Sequence, residues 1–221
     1  MFIGHMAVAF GAKTAAPAVS LGTMFLACQL ADLIWPPLVL LGIERVAIQA
    51  GVTVVTPLDF IYYPYSHSLV ANLLWAALFG GAYVFIRRAR TRAGIVLGVV
   101  VLSHWLLDVA SHRPDMPITL GGSTRIGLGL WNSLAATITV EGLLFAVGVS
   151  LYARSTRARD RVGRWALWSL VACLVAIYAA NLFGPPPPEG MSAAWSALAL
   201  WLLVIWGYWI DRHRQPLAAR A

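Results

Sequence analysis

The chain predicts an all-α fold, a polytopic transmembrane helix bundle of about six long helices plus a short N-terminal helix. Three observations carry that expectation. Apolar residues are 60% of the 221 and charged residues only 11%, whereas soluble domains run near 45–50% and about 25%. The apolar residues gather in runs of roughly 20, the length of helix that crosses a bilayer. The Lys and Arg fall in short bursts between those runs, which is topology information rather than a binding face.

Residues 2–16 are the short first segment, ending before Pro17. They suit a short spanning, re-entrant or interfacial helix. A secretory signal opens with positive charge and then turns apolar. Here the one early cation, Lys13, is at the wrong end, so the segment is expected to be retained. The long segments follow at 19–43, 67–86, 94–112, 132–153, 165–183 and 192–210, all within one integral-membrane domain, 1–221. Trp35-Pro36-Pro37 is the candidate break in the first of them. Pro185 to Pro188 form a stiff extended connector before the last. Trp131-Asn132 reads as an interfacial anchor and helix cap. Gly127 to Gly129 reads as a loop, since it lacks the Lys and the preceding strand of a phosphate cradle.

Alternation along the segments puts the arginine bursts on one side. Lys13, Arg87, Arg88, Arg90, Arg92, the five Arg of 154–164, Arg212, Arg214 and Arg220 share it, leaving only Arg45, Arg113 and Arg125 opposite. By the positive-inside rule the first side is cytoplasmic, with the C-terminus there. A bacterial inner membrane is the expected location. No soluble module exists to turn the net charge of +7 toward nucleic acid. Cys28 and Cys173 are too far apart for a thiolate metal pair, and no disulfide scaffold is suggested.

Few ionisable residues remain in the apolar segments: His5, Asp32, His67, His104, Asp108, His112 and Glu141. Intramembrane acids are costly, so they are normally paired and functional. Their depths agree. Glu141 is about 14 Å inward from the outer start of its segment at 1.5 Å per residue, and the rest are in the outer half. All seven are therefore expected in one cavity that faces the periplasm. His104, Asp108 and His112 are spaced i, i+4, i+8, which puts successive members on one helix face. Imidazole with carboxylate suits Zn²⁺, Mn²⁺ or Fe²⁺ better than Ca²⁺ or Mg²⁺. Tyr63-Pro64-Tyr65-Ser66-His67-Ser68 places a histidine at a helix entrance, with Ser66 as a cap or as a donor behind the ligand. Any one of these histidines reads equally as an interhelical hydrogen-bonder, and an Asp–His pair as a proton relay. The collective pattern favours a divalent metal, zinc first. Glu44 and Asp59 read as solvated loop acids.

Gly4-His5, Ala31-Asp32, Ser66-His67-Ser68 and His104-x3-Asp108-x3-His112 come in that order along the chain. As an ordered set they resemble the integral-membrane proteins known as membrane-bound metal-dependent hydrolases, the YdjM-like group. The resemblance covers residues 1–112, and the remainder only as general helical architecture. That group is similar in ligand spacing to the zinc-dependent phospholipase C and P1 nuclease superfamily, all-helical enzymes whose zinc cluster cleaves phosphodiesters. The resemblance implies a main ion site of Asp32, His67, His104 and Asp108. It implies a second ion on His5 and the shared Asp108, and a further one on His112 and Glu141. This chain has Thr137-x3-Glu141 where the superfamily has His-x3-Glu, and Met1-Phe2 where it has an N-terminal Trp. One or two ions are therefore expected.

Three functions compete. The first is a metal-dependent hydrolase at the outer face, with the bilayer as its surroundings, a lipid phosphodiester as substrate and Asp32 or Glu141 accepting the proton. The second is a metal-ion or proton transporter, which needs a polar path continuing inward. The third is a non-catalytic membrane subunit, such as a haem protein with His67 and His104 as ligands.

Overall fold

The computed structural model describes residues 1–217, so Arg220, counted above among the cytoplasmic cations, lies outside the described residues. Helix α1 (Ile3–Ala12) is ten residues long, about 15 Å of rise and half a bilayer. The chain turns at Thr14 to Val19 and returns as α2 (Leu21–Cys28), whose Ser20 cap accepts from the Thr23 N–H. It then bends by 54° into α3 (Leu30–Leu40).

The bend is at Gln29 (φ −106°, ψ 10°) rather than at the Trp35-Pro36-Pro37 expected from sequence. Both prolines sit inside α3, which continues to Leu40. The cause of the break is visible one residue earlier. The Cys28 carbonyl leaves the helical ladder and accepts a hydrogen bond from His104 Nδ1 at 2.7 Å.

Five further elements match the expected long segments. They are α5 (Leu69–Arg87), which follows the one-turn α4 (Pro64–His67), then α6 (Thr91–Ser111), α7 (Leu134–Ser155), α8 (Arg161–Phe183) and the pair α9 (Gly190–Ala197) with α10 (Leu200–His213). Among the described residues five spans are long and apolar enough to cross a membrane, the last running through α9 and α10, and the bent α2–α3 pair would make six. The chain is a helical membrane protein. Short two-stranded pairings decorate the loops. β1 (Arg45–Ile48) pairs antiparallel with β2 (Leu58–Tyr62), β3 (Met116–Pro117) with β4 (Arg125–Ile126), and β5 (Thr156–Ala158) with β6 (Arg214–Pro216).

The β5–β6 pairing brings the 154–164 burst and the C-terminal segment together at one end. Lys13 reaches that end too, but not as a free loop cation. It is buried, donates to the Val19 carbonyl at 2.6 Å and pairs with Asp211 on α10 at 3.4 Å.

Between the basic end and the polar cluster lies the core. Met6 and Phe10 of α1, Met24 and Phe25 of α2, Leu97 and Val100 of α6, and Phe145 of α7 are buried in one cluster. Phe10 meets Phe25, Phe145 and Tyr152 edge-on at 5.2, 6.1 and 5.3 Å. Small residues let the backbones close, as membrane interfaces require. A Cβ at Gly148 would stand 2.3 Å from the Ala7 carbonyl oxygen, so α1 lies directly on α7. Gly142, two turns toward the other end of α7, has nothing within 4 Å of the same position. Gly148→Leu should therefore push α1 away and cost about 1–3 kcal/mol of stability, while Gly142→Leu should be silent. Thermal unfolding of the two variants in detergent tests this, and equal melting temperatures would contradict the packing.

Candidate metal centre

Four elements bring the polar residues together. Helix α6 presents His104 and Asp108 one turn apart. Asp32 is in the first turn of α3, where the helix dipole favours a carboxylate. His67 ends α4, whose first position is Pro64, a residue pre-set for a helix start. Ser68 is extended (φ −72°, ψ 154°) and caps α5 through the Ala71 N–H, so His67 belongs to the turn before α5 rather than to its first residue. His5 comes from the first half of α1.

Asp108 is the hub. Its Oδ1 stands 3.0 Å from His5 Nε2 and 2.6 Å from the Met1 amino nitrogen. Its Oδ2 stands 3.0 Å from His104 Nε2 and 3.9 Å from His67 Nε2. Asp32 Oδ1 is 3.3 Å from His67 Nε2 and 3.7 Å from His104 Nε2. Two groups with metal-binding spacing result, His5–His104–Asp108 and Asp32–His67–His104, sharing His104. The four distances from the His67 and His104 nitrogens straddle the separation of about 3.4 Å that ligands 2.0–2.2 Å from a tetrahedral zinc would show.

The tautomers decide what this cluster can hold. His104 Nδ1 donates to the Cys28 carbonyl, an acceptor only. Its Nε2 is then a lone pair in the neutral ring. Asp108 Oδ2 is near, yet Nε2 has no hydrogen-bond partner and is buried. His67 Nδ1 is engaged by Ser66 Oγ at 2.7 Å, and its Nε2 likewise faces carboxylate oxygen. Lone pairs of nitrogen and carboxylate oxygens facing each other repel unless a proton or a metal cation lies between them. The donor set therefore fits a divalent metal of the zinc type, with Nδ1 of each ligand held from behind. The rings of His67 and His104 are 5.3 Å apart at 64°, and those of His5 and His104 stack at 3.8 Å. That contact leaves no gap for a porphyrin between His67 and His104.

His112 and Glu141 are placed differently from the main set. Helix α6 ends at Ser111, and His112 turns extended (φ −66°, ψ 150°), two residues before Pro114. Pro114 disfavours helical backbone at Arg113, and the helix ends just before it, so the i+8 row stops at Asp108. His112 Nδ1 instead donates to Asp115 Oδ1 at 2.9 Å, and its ring lies 4.4 Å from Trp131. Glu141 Oε2 accepts from the Phe2 and Gly4 N–H groups at 2.9 and 3.2 Å, tying α7 to the start of α1.

Six of the seven residues line one cavity of about 970 Å³, and His104 sits behind them. Its other walls are Trp35, Phe60, Trp131, Ile177, Leu200, Leu203 and Trp206. Asp32 is the most open of the acids, with 30% of its side chain exposed.

Four residues stand differently from what the sequence predicts. Glu44 is not a solvated acid. It is buried, and it accepts from the Tyr65 and Ser66 N–H groups at 2.8 and 2.9 Å and from the Ser66 hydroxyl at 2.6 Å. Asp59 pairs with Arg113. Trp131 packs on His112 in a 3₁₀ turn, and Ser133, not Asn132, caps α7. Asp115 was not singled out at all, although His112-x2-Asp115 around a proline is a turn that brings the two side chains together.

No family model, no curated protein and no solved structure matches this chain.

Asp115 is held by His112, Arg113 Nε at 3.1 Å and the Tyr63 hydroxyl at 3.2 Å. Burial pushes its carboxyl up, but the bonds from His112, Arg113 and Tyr63 win and hold it below the usual range. A depressed carboxylate stabilises the fold above its unfolded value near 3.9 and loses that contribution as pH falls through the folded value. The melting temperature of the parent should exceed that of Asp115→Asn above about pH 4, and the gap should close on further acidification. A gap independent of pH would refute the assignment.

Proposed function

We propose that the protein is a membrane-embedded metal-dependent hydrolase whose site faces the periplasmic side of a bacterial inner membrane. The observation that carries this reading is the pair of inward Nε2 lone pairs, on His67 and His104, set against the Asp32 and Asp108 carboxylates. Asp32, His67, His104 and Asp108 would hold the main ion, zinc by donor type. His5, on the same Asp108, would hold a second. Such an ion supplies Lewis-acid polarisation and lowers the pKa of water toward neutrality.

The chain's own groups account for the rest. Asp32 is partly open to the cavity, so one of its oxygens is available to take a proton. Glu141 commits Oε2 to two backbone N–H groups, leaving Oε1 for the same task. A polar floor under walls of Trp35, Leu200, Leu203 and Trp206 suits a molecule with an anionic head and apolar tail. A lipid phosphodiester is the substrate class that fits both, with its head at the acids and its chains along α8 and α10. A transporter would need polar groups leading inward. The layer beneath the site is Met6, Phe10, Phe25, Val100 and Phe145, which favours a closed-ended pocket.

The protein should bind Zn²⁺ and release product from phospholipids or model phosphodiesters. Asp108→Asn keeps the shape, removes the charge and should abolish both; Arg157→Gln, at the basic end, should leave both intact. Glu141→Gln should retain metal and lose about 10²–10⁴-fold in turnover if Glu141 is the base. A metal-loaded protein that cleaves nothing in a broad phosphodiester panel would end the hydrolase reading. A reporter joined after Pro216 should register as cytoplasmic and one at Pro187 as periplasmic, and the reverse would invert the orientation.

A further inference from the structure

We infer that Glu44, on the loop before β1, is a positioning residue that sets the tautomer of His67 through Ser66 and thereby keeps the Nε2 lone pair turned toward Asp32. The inference rests on the metal reading above for its consequence, but the relay itself stands on hydrogen-bond geometry.

The argument is one of counting protons. Glu44 receives the Tyr65 and Ser66 N–H groups on Oε1 and the Ser66 hydroxyl on Oε2. Three donors on two oxygens is the pattern of an ionised carboxylate, which can only accept. Ser66 Oγ has one hydrogen and three neighbours: Glu44 Oε2 at 2.6 Å, His67 Nδ1 at 2.7 Å and the Tyr63 carbonyl at 3.4 Å. Were that hydrogen aimed at His67, two bare oxygens would face each other at 2.6 Å. It therefore goes to Glu44, and Ser66 Oγ must accept from His67 Nδ1–H. In the neutral ring this leaves Nε2 unprotonated, 3.3 Å from Asp32 Oδ1.

All three relay members are buried: Glu44 is 1% exposed, Ser66 0% and His67 3%. Water therefore does not compete for these bonds. The local chain is built for them. Pro64 starts the turn of α4, whose free N–H groups at Tyr65 and Ser66 are the ones Glu44 takes up. Partners behind a metal-bound histidine typically change affinity by 10–100-fold.

The relay makes an ordering that a packing role does not. In Glu44→Gln the side-chain carbonyl keeps the two backbone N–H groups, and the amide N–H must donate to Ser66 Oγ. The Ser66 hydrogen then goes to His67 Nδ1 at 2.7 Å rather than to the Tyr63 carbonyl at 3.4 Å, which puts the ring hydrogen on Nε2, where a metal should bind. In Ser66→Ala the relay is cut, but His67 remains free to choose either tautomer. A merely structural glutamate would tolerate the isosteric amide better than the loss of the hydroxyl.

The experiment is Zn²⁺ affinity of the full-length protein in detergent, measured by chelator competition, beside ¹⁵N NMR of the histidine rings in the metal-free protein. Glu44→Gln should weaken Zn²⁺ about 10–100-fold, Ser66→Ala less, and Ser66→Thr, which retains the hydroxyl, scarcely at all. His67 of the parent should carry a hydrogen on Nδ1, whether or not Asp32 draws a second onto Nε2, and His67 of Glu44→Gln should carry one on Nε2 alone. A bare Nδ1 in the parent overturns the relay, as does Glu44→Gln binding Zn²⁺ as tightly as the parent. Should Glu44→Gln not fold, the parent's spectrum and the Ser66→Thr against Ser66→Ala comparison still decide. A parent that takes no Zn²⁺ yet shows the Nδ1–H tautomer upholds the relay and defeats the metal reading instead.

Discussion

The structure depends on how a buried carboxylate is satisfied. Asp108 is almost wholly shielded inside an apolar bundle, where an unpaired acid costs several kcal/mol. Everything near it answers that cost. His104 is one turn earlier on its own helix, and His5 arrives on α1. His67 is delivered by a turn outside the long helices. Because these partners come from separate segments, the carboxylate dictates that α1, α4 and α6 converge. The close approach of α1 to α7 at Gly148 makes room for that convergence.

A second layer of acceptors and donors orients the first. The Cys28 carbonyl and the Ser66 hydroxyl each hold a ring from its Nδ1 side. The first of these takes the carbonyl at which α2 stops, Cys28. A continuous helix would have used that carbonyl for the Asp32 N–H, and neither His104 nor Asp32 would stand where it does. The bend is thus part of the site rather than a flaw in a span.

Much of this was readable in the residues. The runs of apolar residues located the long helices to within a few positions, because a span must satisfy its own backbone. His104 and Asp108 were legible because i and i+4 share a face in any helix. His112 was not, because Pro114 ends the helix first. The break at Gln29 left no local mark, since it is driven by a histidine 76 residues away. Glu44 was misread for a related reason. Its neighbours in sequence are loop-like, while its partners are backbone groups made available by the turn at Pro64. Local pattern reports faces and caps; it does not report which distant group will claim a carbonyl.

The shortness of α1 and α2 has a consequence for how the protein is made. Neither ten nor eight apolar residues suffice to stay in a bilayer as a free span, so this hairpin persists only by leaning on partners. Those partners, α6, α7 and α10, are synthesised later. The hairpin, made before them, is therefore among the last to settle, and it carries His5 and the Cys28 carbonyl with it. A half-assembled bundle cannot hold these polar groups in register. The polar cluster would then close in one step, with completion of the fold.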